Sequence, residues 1–469
     1  MRSIAITVVT AITSLALLAG APSLAQQQFN RAAASNPLFD PSSLPDQKLG
    51  ERISIKPEDL PPPKTGPIVS SRSLIVPYQG QTPRAPEGFT VTLFASGLAH
   101  PRRLLVLPNG DVIVAEQRVG YLTLLRDENG DGKADWSERH AEGFNAPYGL
   151  AWRDDHILVA DQDGIWKVPH RLGALRPGRG SIERKTVDVP ADERKPSPSI
   201  VGEEMITKKG VFGIVQGHAN RHLAIDPRNG ALFVSVGSAG NIGVEPEPKA
   251  TIQRFEPDGS GQSTYASGTR NPTALAFHPD TGELFAVVQE RDGLGDRLPP
   301  DYLTHVEKGA FYGWPYAYIG PHPQPGFAQL RPDKVKASVI PDLLFQAHSS
   351  TLDILFYTGD QFPREYRGSA FVALRGSWNR SEPTGYKVVR VPFSNGRPVG
   401  YYENFVTGFW VAGRSPAEVW GRPAALAVAK DGALLIADDT AGTIWRVSYS
   451  QPPRQSGAPS TTTGTTPAR

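Results

Sequence analysis

A motif that recurs along the chain is the sequence feature that most restricts its fold. Each copy has a few apolar residues, a turn with Gly, and a second apolar run ending in small or acidic residues, as in HLAIDPRNGALFVSVGS from His222. Equivalent apolar residues, which lie 46 to 79 positions apart, are Leu104, Leu150, Leu223, Leu275, Ile354 and Leu426. This spacing fits one four-stranded sheet with loops of varying length.

The six copies predict six sheets around one axis. A single sheet would expose both faces, whereas sheets stacked in a ring bury them against one another. The 47 glycines and 44 prolines also favour short strands and turns over long helices. We therefore predict an all-β protein, a six-bladed β-propeller over residues 86–450, with a β-sandwich array as the alternative. One short helix is predicted, over residues 301–308.

The start of the chain has the pattern of a secretory signal. A basic start is followed by the apolar run from Ile4 to Ala19 and by the small-x-small sequence Ser23-Leu24-Ala25. This pattern predicts a cleavable signal peptide over residues 1–25, whereas a retained membrane anchor is the alternative. The mature protein is then expected to be periplasmic or secreted and not membrane-spanning.

Two further segments differ in composition from the repeats. Residues 26–85 are rich in Pro, Ser, Gln and Lys, and we predict a poorly ordered lead-in with extended pieces. Residues 451–469 form a Pro/Gly/Ser/Thr tail that is predicted to be disordered.

Composition and missing motifs exclude several functions. The net charge of +2 is close to balanced, and the sequence has no basic stripe that would indicate nucleic acid binding. The absence of cysteine excludes disulfides and thiol redox chemistry. The sequence has no GxGxxG that opens a helix, no Walker loop, no HExxH and no GxSxG. Redox chemistry in this chain would therefore require a bound cofactor.

The stretch from Gln216 to Gly243 is the first candidate for catalysis. A polar turn with two histidines, an asparagine and an arginine precedes a predicted hairpin of Leu223 to Ile225 and Ala231 to Val236. His218 in this turn is the candidate general base, because imidazole accepts a proton near neutral pH. The alternative is a histidine that only bonds a backbone carbonyl.

Other polar residues occupy equivalent places in the repeat. Loops at equivalent strand ends converge on one face of a propeller, so these residues are expected to form a polar pocket with His218 for an anionic or sugar-like ligand. They are Tyr148, Asn241, Arg270, Asn271, Arg291, Asp292 and Arg422.

Two aromatic clusters add candidates for ligand contacts. Tyr312 and Trp314 belong to a run of four aromatics that is either a stacking platform for a planar ring or a core cluster. Arg375 opens a second cluster, with Trp378 and Arg380, and several arginines facing a pocket suggest a ligand with carboxylates.

One loop has the spacing of a calcium site. Oxygen ligands at loop positions 1, 3, 5, 9 and 12, with Gly at position 6, are suited to Ca²⁺. The predicted ligands are Asp127, Asn129, Asp131, Asp135 and Glu138. An acidic turn that binds nothing is the alternative, and a bound ion here would be structural.

Together these motifs resemble the glucose/sorbosone dehydrogenase family, and especially its sorbosone-dehydrogenase-like branch. The resemblance covers about Ala85 to Tyr449 and is carried by GHANRHLAI, SVGSAGN, SGTRNPTALAFHPDTGELF, ERDGLGD, GAFYGWPYAY, GSWNRSEPTGYKVVRVPF and GRPAALAVAKDGALLIADD. It implies a soluble quinoprotein that binds pyrroloquinoline quinone (PQQ) and Ca²⁺ on a six-bladed propeller. The implied activity is oxidation of an aldose, a sugar aldehyde or a related alcohol.

The resemblance also implies roles for individual residues. His218 matches the family base, Arg422 matches a final-blade arginine, and Arg375 stands where a family lysine reaches the quinone. Asn241 lies on a loop that carries an Arg-Asn pair in the family, but the arginine is missing here. Arg270 with Asn271, or Arg291 with Asp292, are the candidates to compensate.

Three functions are therefore open at the level of sequence. The first is an exported PQQ- and calcium-dependent dehydrogenase that passes electrons to an external acceptor, a quinone or a cytochrome-type protein. The second is a calcium-dependent propeller lactonase or esterase, and the third is a non-catalytic binding propeller.

Overall fold

The computed structural model describes residues 44–174 and 204–450. The predicted signal peptide and the predicted C-terminal tail lie outside these residues, as does the beginning of the lead-in. Within the described ranges, no helix has the length and apolar character needed to cross a membrane.

Most of the described residues that form regular structure belong to six antiparallel sheets. The first contains β4 (Pro101–Val106), β5 (Val112–Glu116), β6 (Tyr121–Arg126) and β7 (Trp136–Glu142). The second contains β8 (Gly149–Arg153), β9 (His156–Ala160), β10 (Ile165–Pro169) and β11 (Glu204–Met205). The third contains β12 (Leu223–Ile225), β13 (Leu232–Val236), β14 (Thr251–Phe255) and β15 (Ser263–Ser267).

The remaining three sheets follow the same order. The fourth contains β16 (Asn271–Phe277), β17 (Leu284–Gln289), β18 (Tyr302–His305) and β21 (Leu343–Leu344). The fifth contains β22 (Thr351–Phe356), β23 (Ala370–Leu374), β24 (Lys387–Val391), β27 (Tyr402–Val406) and, at its edge, β1 (Arg52–Ile53). The sixth contains β30 (Pro423–Val428), β31 (Leu434–Asp438), β32 (Thr443–Tyr449) and, from the other end of the chain, β3 (Phe89–Ala95).

Smaller elements lie within and between these sheets. The short strands are β2 (Leu74–Ile75), β19 (Ala317–Tyr318), β20 (His322–Pro323), β25 (Phe393–Ser394), β26 (Arg397–Pro398), β28 (Trp410–Ala412) and β29 (Glu418–Val419). The helical segments are α1 (Pro332–Lys336) and the 3-10 turns Pro57–Asp59, Ala328–Leu330 and Arg364–Tyr366. The all-β class is confirmed. The predicted helix over 301–308 is wrong, because Tyr302–His305 form β18, an inner strand of the fourth sheet.

The predicted hairpin is formed by β12 and β13. Asp226 accepts hydrogen bonds from the backbone N–H and the guanidinium of Arg228 within the turn, and Gly230 has a φ of 74° that suits glycine. The following strand β13 is buried along its whole length, so alternation of polar and apolar residues is absent there.

The apolar core is divided among the spaces between consecutive sheets. Each of the six core clusters joins two neighbouring sheets, and one of them joins the sixth sheet to the first. The first strands also follow one another in space, in the order β4, β8, β12, β16, β22, β30 and again β4. Burial of sheet faces against neighbours is the outcome that the repeat predicted.

The described part of the lead-in is packed against the sheets. Strand β1 pairs with β27, and β2 runs parallel to β29. The backbone N–H of Lys64 donates to the carbonyl of Leu294 over 2.7 Å between these two pairings. The expected extended pieces are therefore present, and two of them pair with strands of the β domain, which composition alone did not indicate.

Candidate active site

A cavity of about 580 Å³ lies where the first strands of several sheets begin. Its polar lining residues are Arg72, Ser73, Arg102, Gln117, His218, Asn220, Asn271, Gln289, Ser350, Arg375, Trp378 and Arg422. Within the described ranges this lining contains four arginines and no carboxylate. The volume lies in the usual range for small-molecule sites.

The repeat explains why these residues meet. Arg102, Asn271 and Arg422 lie at or directly before the first strand of their sheets, whereas Gln289 and Arg375 lie at the end of a second strand. Because neighbouring strands are antiparallel, the start of the first strand and the end of the second lie at the same end of the sheet. Of the predicted residues, the structure brings His218, Asn271, Arg375 and Arg422 into this one lining.

His218 is held so that one ring nitrogen remains available to a ligand. Its Nδ1 lies 2.9 Å from the carbonyl oxygen of Ser238, so Nδ1 carries the proton and donates it to this acceptor. No described residue hydrogen-bonds Nε2, and the ring lines the cavity. Burial, together with the guanidinium of Arg270, lowers the pKa of His218 to about 3. The imidazole is therefore neutral at working pH, with Nε2 as a proton acceptor.

Two cavity arginines are linked through a buried aspartate, and a third is bound to the backbone beside them. The Asp439 Oδ2 atom forms ion pairs with Arg102 Nε at 3.0 Å and with Arg375 Nε at 2.6 Å. Burial alone would raise the pKa of Asp439, but the two guanidiniums hold it below its usual range. Arg422 donates to the carbonyl oxygens of Arg375 and Gly376. One carboxylate thus orients the cluster without neutralising it.

A smaller cavity of about 90 Å³ adjoins the first and shares His218, Gln289, Ser350 and Trp378 with it. Its own lining includes the predicted residues Arg270 and Asp292. Arg270 donates to the Oδ1 and the carbonyl of Asn241, and Asn241 Oδ1 also accepts from the Asp292 N–H over 2.8 Å. Arg270 and Asn241 therefore support each other across two loops, and compensation for the missing family arginine stays a prediction.

Two buried acids also line the smaller cavity. Burial raises the pKa of Glu290 to about 8, and it raises the pKa of Asp301, whose carboxylate accepts from the N–H groups of Glu290 and Ser350. The Oε1 atom of Glu290 is buried and has no hydrogen-bond partner among the described residues. Glu290 is thus held as a neutral acid near neutral pH.

Several predicted contacts lie outside both linings. Tyr312 is fully buried in the core and donates to the His305 carbonyl, while Trp314 is 3% exposed and donates to the Asn241 carbonyl. Trp314 thus supports the Asn241 loop and Tyr312 belongs to a core cluster, so both are buried rather than exposed as a stacking platform. Arg291 donates to the Asp292 carbonyl, and buried Tyr148 donates to the Leu352 carbonyl.

The predicted calcium loop joins β6 to β7, apart from both linings. Asp127 accepts from the N–H groups of Gly130 and Gly132, and Asp135 accepts from those of Glu128 and Asn129. Asp131 accepts from the Lys133 N–H, and Glu138 lies within β7. In the part of the chain that is described, no group of three or more His, Cys, Asp or Glu is arranged to hold a metal ion. Calcium binding by this loop stays a prediction.

Sequence reasoning missed several lining residues. Arg102 and Gln117 lie in the first copy of the repeat, at strand ends equivalent to those that carry lining residues in other copies. Alignment of the copies would therefore have identified them. Asp439, which contacts the lining arginines but does not itself line the cavity, directly follows β31 in the last copy of the repeat. Arg72 belongs to the lead-in, where no repeat marks it.

The donor set fits an anionic, carboxylate-bearing ring system. Guanidinium groups bind carboxylates through paired N–H donors, and Arg102, Arg375 and Arg422 supply them in this lining. Gln117 also has a buried Nε2 donor with no partner in the described ranges. Unused donors in a lining without carboxylates are suited to a ligand that brings acceptors.

Family models match two parts of the sequence. The model described as glucose / sorbosone dehydrogenase matches residues 183–377, and one described as TrAA12-like matches residues 333–450. An uncharacterized protein of Borreliella burgdorferi is 27% identical over 393 residues, or 82% of this chain and 95% of that protein. A pyrroloquinoline quinone-dependent pyranose dehydrogenase of Coprinopsis cinerea is 46% identical over 55 residues, or 12% of this chain and 7% of that protein.

Solved structures share the fold at low sequence identity. The holo PQQ domain of pyranose dehydrogenase from Coprinopsis cinerea has a TM-score of 0.62 and 19% identity, covering 80% of this chain and 100% of that one. A Trichoderma reesei AA12 enzyme has a TM-score of 0.62 and 20% identity, covering 79% of this chain and 97% of that one. The PQQ-bound aldose sugar dehydrogenase of Streptomyces coelicolor has a TM-score of 0.53 and 19% identity, covering 78% and 100%.

Proposed function

We propose that this chain is a PQQ-dependent oxidoreductase that oxidises a sugar, because residues 183–377 match the glucose / sorbosone dehydrogenase model that its motifs predicted. The observation that carries the proposal is the placement of a neutral imidazole in one cavity with four arginines. The substrate is an aldose, a sugar aldehyde or a related alcohol, and the sorbosone-dehydrogenase-like branch is part of the proposal.

The cofactor would be held by the arginine cluster. Arg102, Arg375 and Arg422 supply guanidinium donors for carboxylates, and Asn271 and Gln117 supply amide groups for the remaining polar atoms of the ring. When bound, PQQ supplies a two-electron acceptor for the hydrogen removed from the substrate carbon. Asp439 keeps two of the guanidiniums in place.

His218 acts on the substrate hydroxyl. Its Nε2 accepts the hydroxyl proton, because the Ser238 carbonyl fixes the other nitrogen as the donor. Burial is the main cause of the low pKa of His218 and the charge of Arg270 is the second, so a polyanionic cofactor bound near the imidazole would raise this pKa.

The architecture and the setting complete the proposal. The six sheets are the blades of one propeller, with the cavity at one end of its axis. Residues 1–25 direct export to the periplasm or outside the cell, and electrons leave to a quinone or cytochrome-type acceptor. Calcium is proposed beside the quinone on the family resemblance, and in the loop that starts at Asp127 on its spacing.

Replacement of His218 tests the function directly. We expect His218→Ala to lower kcat/KM for dye-linked sugar oxidation by about 10²–10⁴-fold, because the proton acceptor is lost. The measurement is oxidation of a sugar panel by purified protein reconstituted with PQQ and Ca²⁺, with the absorbance of bound PQQ recorded in parallel.

A second histidine provides the matched control. His322 also directs Nδ1 at a backbone carbonyl, that of Ile319 over 2.8 Å, but it lines neither cavity, so His322→Gln should keep full activity. Full activity in His218→Ala would refute the base assignment. Failure to bind PQQ would favour a binding propeller, and lactone hydrolysis without PQQ would favour the lactonase.

A further inference from the structure

The described lead-in runs from the fifth sheet to the small sheet of β28 and β29, and it borders the larger cavity. Its residues Arg72, Ser73 and Ile75 belong to the cavity lining, although they lie outside the repeats. We call residues 44–78 the strap. The strap therefore supplies one side of the cavity, and this side is separate from the repeat residues that would hold the cofactor.

The strap is fixed at both of its ends. Near its start, the Asp46 carboxylate pairs with the fully buried ammonium of Lys387 and accepts from the Thr384 hydroxyl over 2.6 Å. Near its end, the N–H groups of Leu74 and Val76 donate to the carbonyls of Ala417 and Val419 over 2.8 and 2.9 Å. The position of Arg72 between these anchors is therefore set by the fold.

Arg72 meets an exposed indole at the cavity edge. The Ser71 N–H donates to the Trp378 carbonyl over 2.7 Å, and the Arg72 guanidinium lies 5.8 Å from the centroid of the Trp378 ring. Trp378 is 41% exposed, whereas Trp410, Trp420 and Trp445 are almost fully buried. Trp378 therefore presents an aromatic face at the cavity on which a ligand can stack.

The chemistry of this pair suits a sugar ring. A pyranose has an apolar face of C–H groups that packs on an indole, and its hydroxyls accept hydrogen bonds from a guanidinium. Arg72 also lacks the link to Asp439 that binds Arg102 and Arg375 together. The inner arginines thus form one unit, and Arg72 with Trp378 forms a separate one.

We infer that Arg72 and Trp378 form the substrate-binding rim of the cavity and determine which pyranose ring is accepted. This inference rests on the proposed function for the identity of the reaction, but not for the binding of the sugar. The rim should bind a methyl pyranoside, which has no anomeric hydroxyl to be oxidised.

Calorimetric titration of the full-length protein with methyl glucoside, alongside a panel of other methyl pyranosides, tests the rim without turnover. We expect Trp378→Ala to weaken the Kd about tenfold through loss of the stacking surface. Arg72→Ala should weaken it to a similar degree, about tenfold, through loss of a charged donor. In the active protein both changes should raise KM much more than they lower kcat, and PQQ titration by absorbance should be unchanged.

A second arginine of the strap is the matched control. Arg52 also lies against an aromatic ring, 4.7 Å from the centroid of Tyr401, but it is outside the cavity, so Arg52→Ala should leave the Kd and KM unchanged. Equal Kd values in all variants, or no binding of any pyranoside by the unaltered protein, would overturn the inference. Rim-dependent pyranoside binding without any sugar oxidation would instead refute the proposed function and leave the rim intact.

Discussion

Glu290 shows how one buried side chain ties stability to pH at the edge of the site. Its carboxyl is 4% exposed, and its Oε2 accepts only a 3.2 Å bond from the Arg291 N–H among the described residues. Burial raises its pKa to about 8, so the folded protein keeps the proton that the unfolded chain releases near its ordinary pKa of 4.5. The stability that this group contributes is present below pH 4.5 and is lost as the pH rises towards 8.

Glu290→Gln should remove this pH dependence, because an amide of similar shape does not ionise. The Tm of the variant minus that of the unaltered protein is expected to increase from pH 5 to pH 8 and then to level off. Thermal unfolding at several pH values measures it, and Glu382→Gln, at an exposed residue that lines neither of the two site cavities, is the control. A constant Tm difference over this range would contradict the prediction.

At the scale of the element, the strap depends on a buried ion pair. Burial lowers the pKa of Lys387, and the Asp46 carboxylate opposes this shift. Asp46 also accepts from the Gly385 N–H, and its own carbonyl accepts from Asn404. This network joins the strap to β24 and β27 of the fifth sheet.

Asp46→Asn should destabilise the protein by about 3–5 kcal/mol, since it leaves a buried ammonium without its counter-ion. The double variant with Lys387→Met should recover much of this loss, because both charges are then absent. Denaturant unfolding measures both, with the exposed strap residue in Asp59→Asn as the control. Additive losses in the double variant would show that the pair is not coupled.

At the scale of the whole molecule, the two ends of the β domain meet in one sheet. Strand β3, the first strand after the lead-in, pairs with β32, the last strand in the described ranges. Val447 of β32 is fully buried in a cluster that also contains residues of the fifth sheet. In the proposed propeller this pairing closes the ring, so local damage should spread to all blades.

Val447→Asp should therefore lower the free energy of unfolding of the domain by about 3 kcal/mol or more, as expected for a buried unpaired charge. Calorimetry should still give a single transition, and hydrogen exchange should accelerate in β17, in a different sheet. Ser448→Asp, at the partly exposed next residue, is the control. Two separate transitions, with β17 still protected, would argue against closure.

The sequence alone was sufficient wherever local pattern decides structure. The hairpin of β12 and β13 follows from apolar runs around a Pro-Arg-Asn-Gly turn, and the repeat indicated that His218, Asn271 and Arg422 would share one end of their sheets. The helix expected over 301–308 failed because an eight-residue pattern does not distinguish a helix from a central strand, whose partners are distant in sequence.

Contacts between distant segments were decided only by the tertiary structure. Composition predicted a poorly ordered lead-in, yet Asp46 pairs with Lys387 across 341 positions and thereby places Arg72 at the cavity. The aromatic run at Tyr312 offered two interpretations, and packing against the core selected one. The physical reason is the same in each case: turn and strand preferences act between neighbours, whereas burial and charge pairing depend on which surfaces the completed fold brings together.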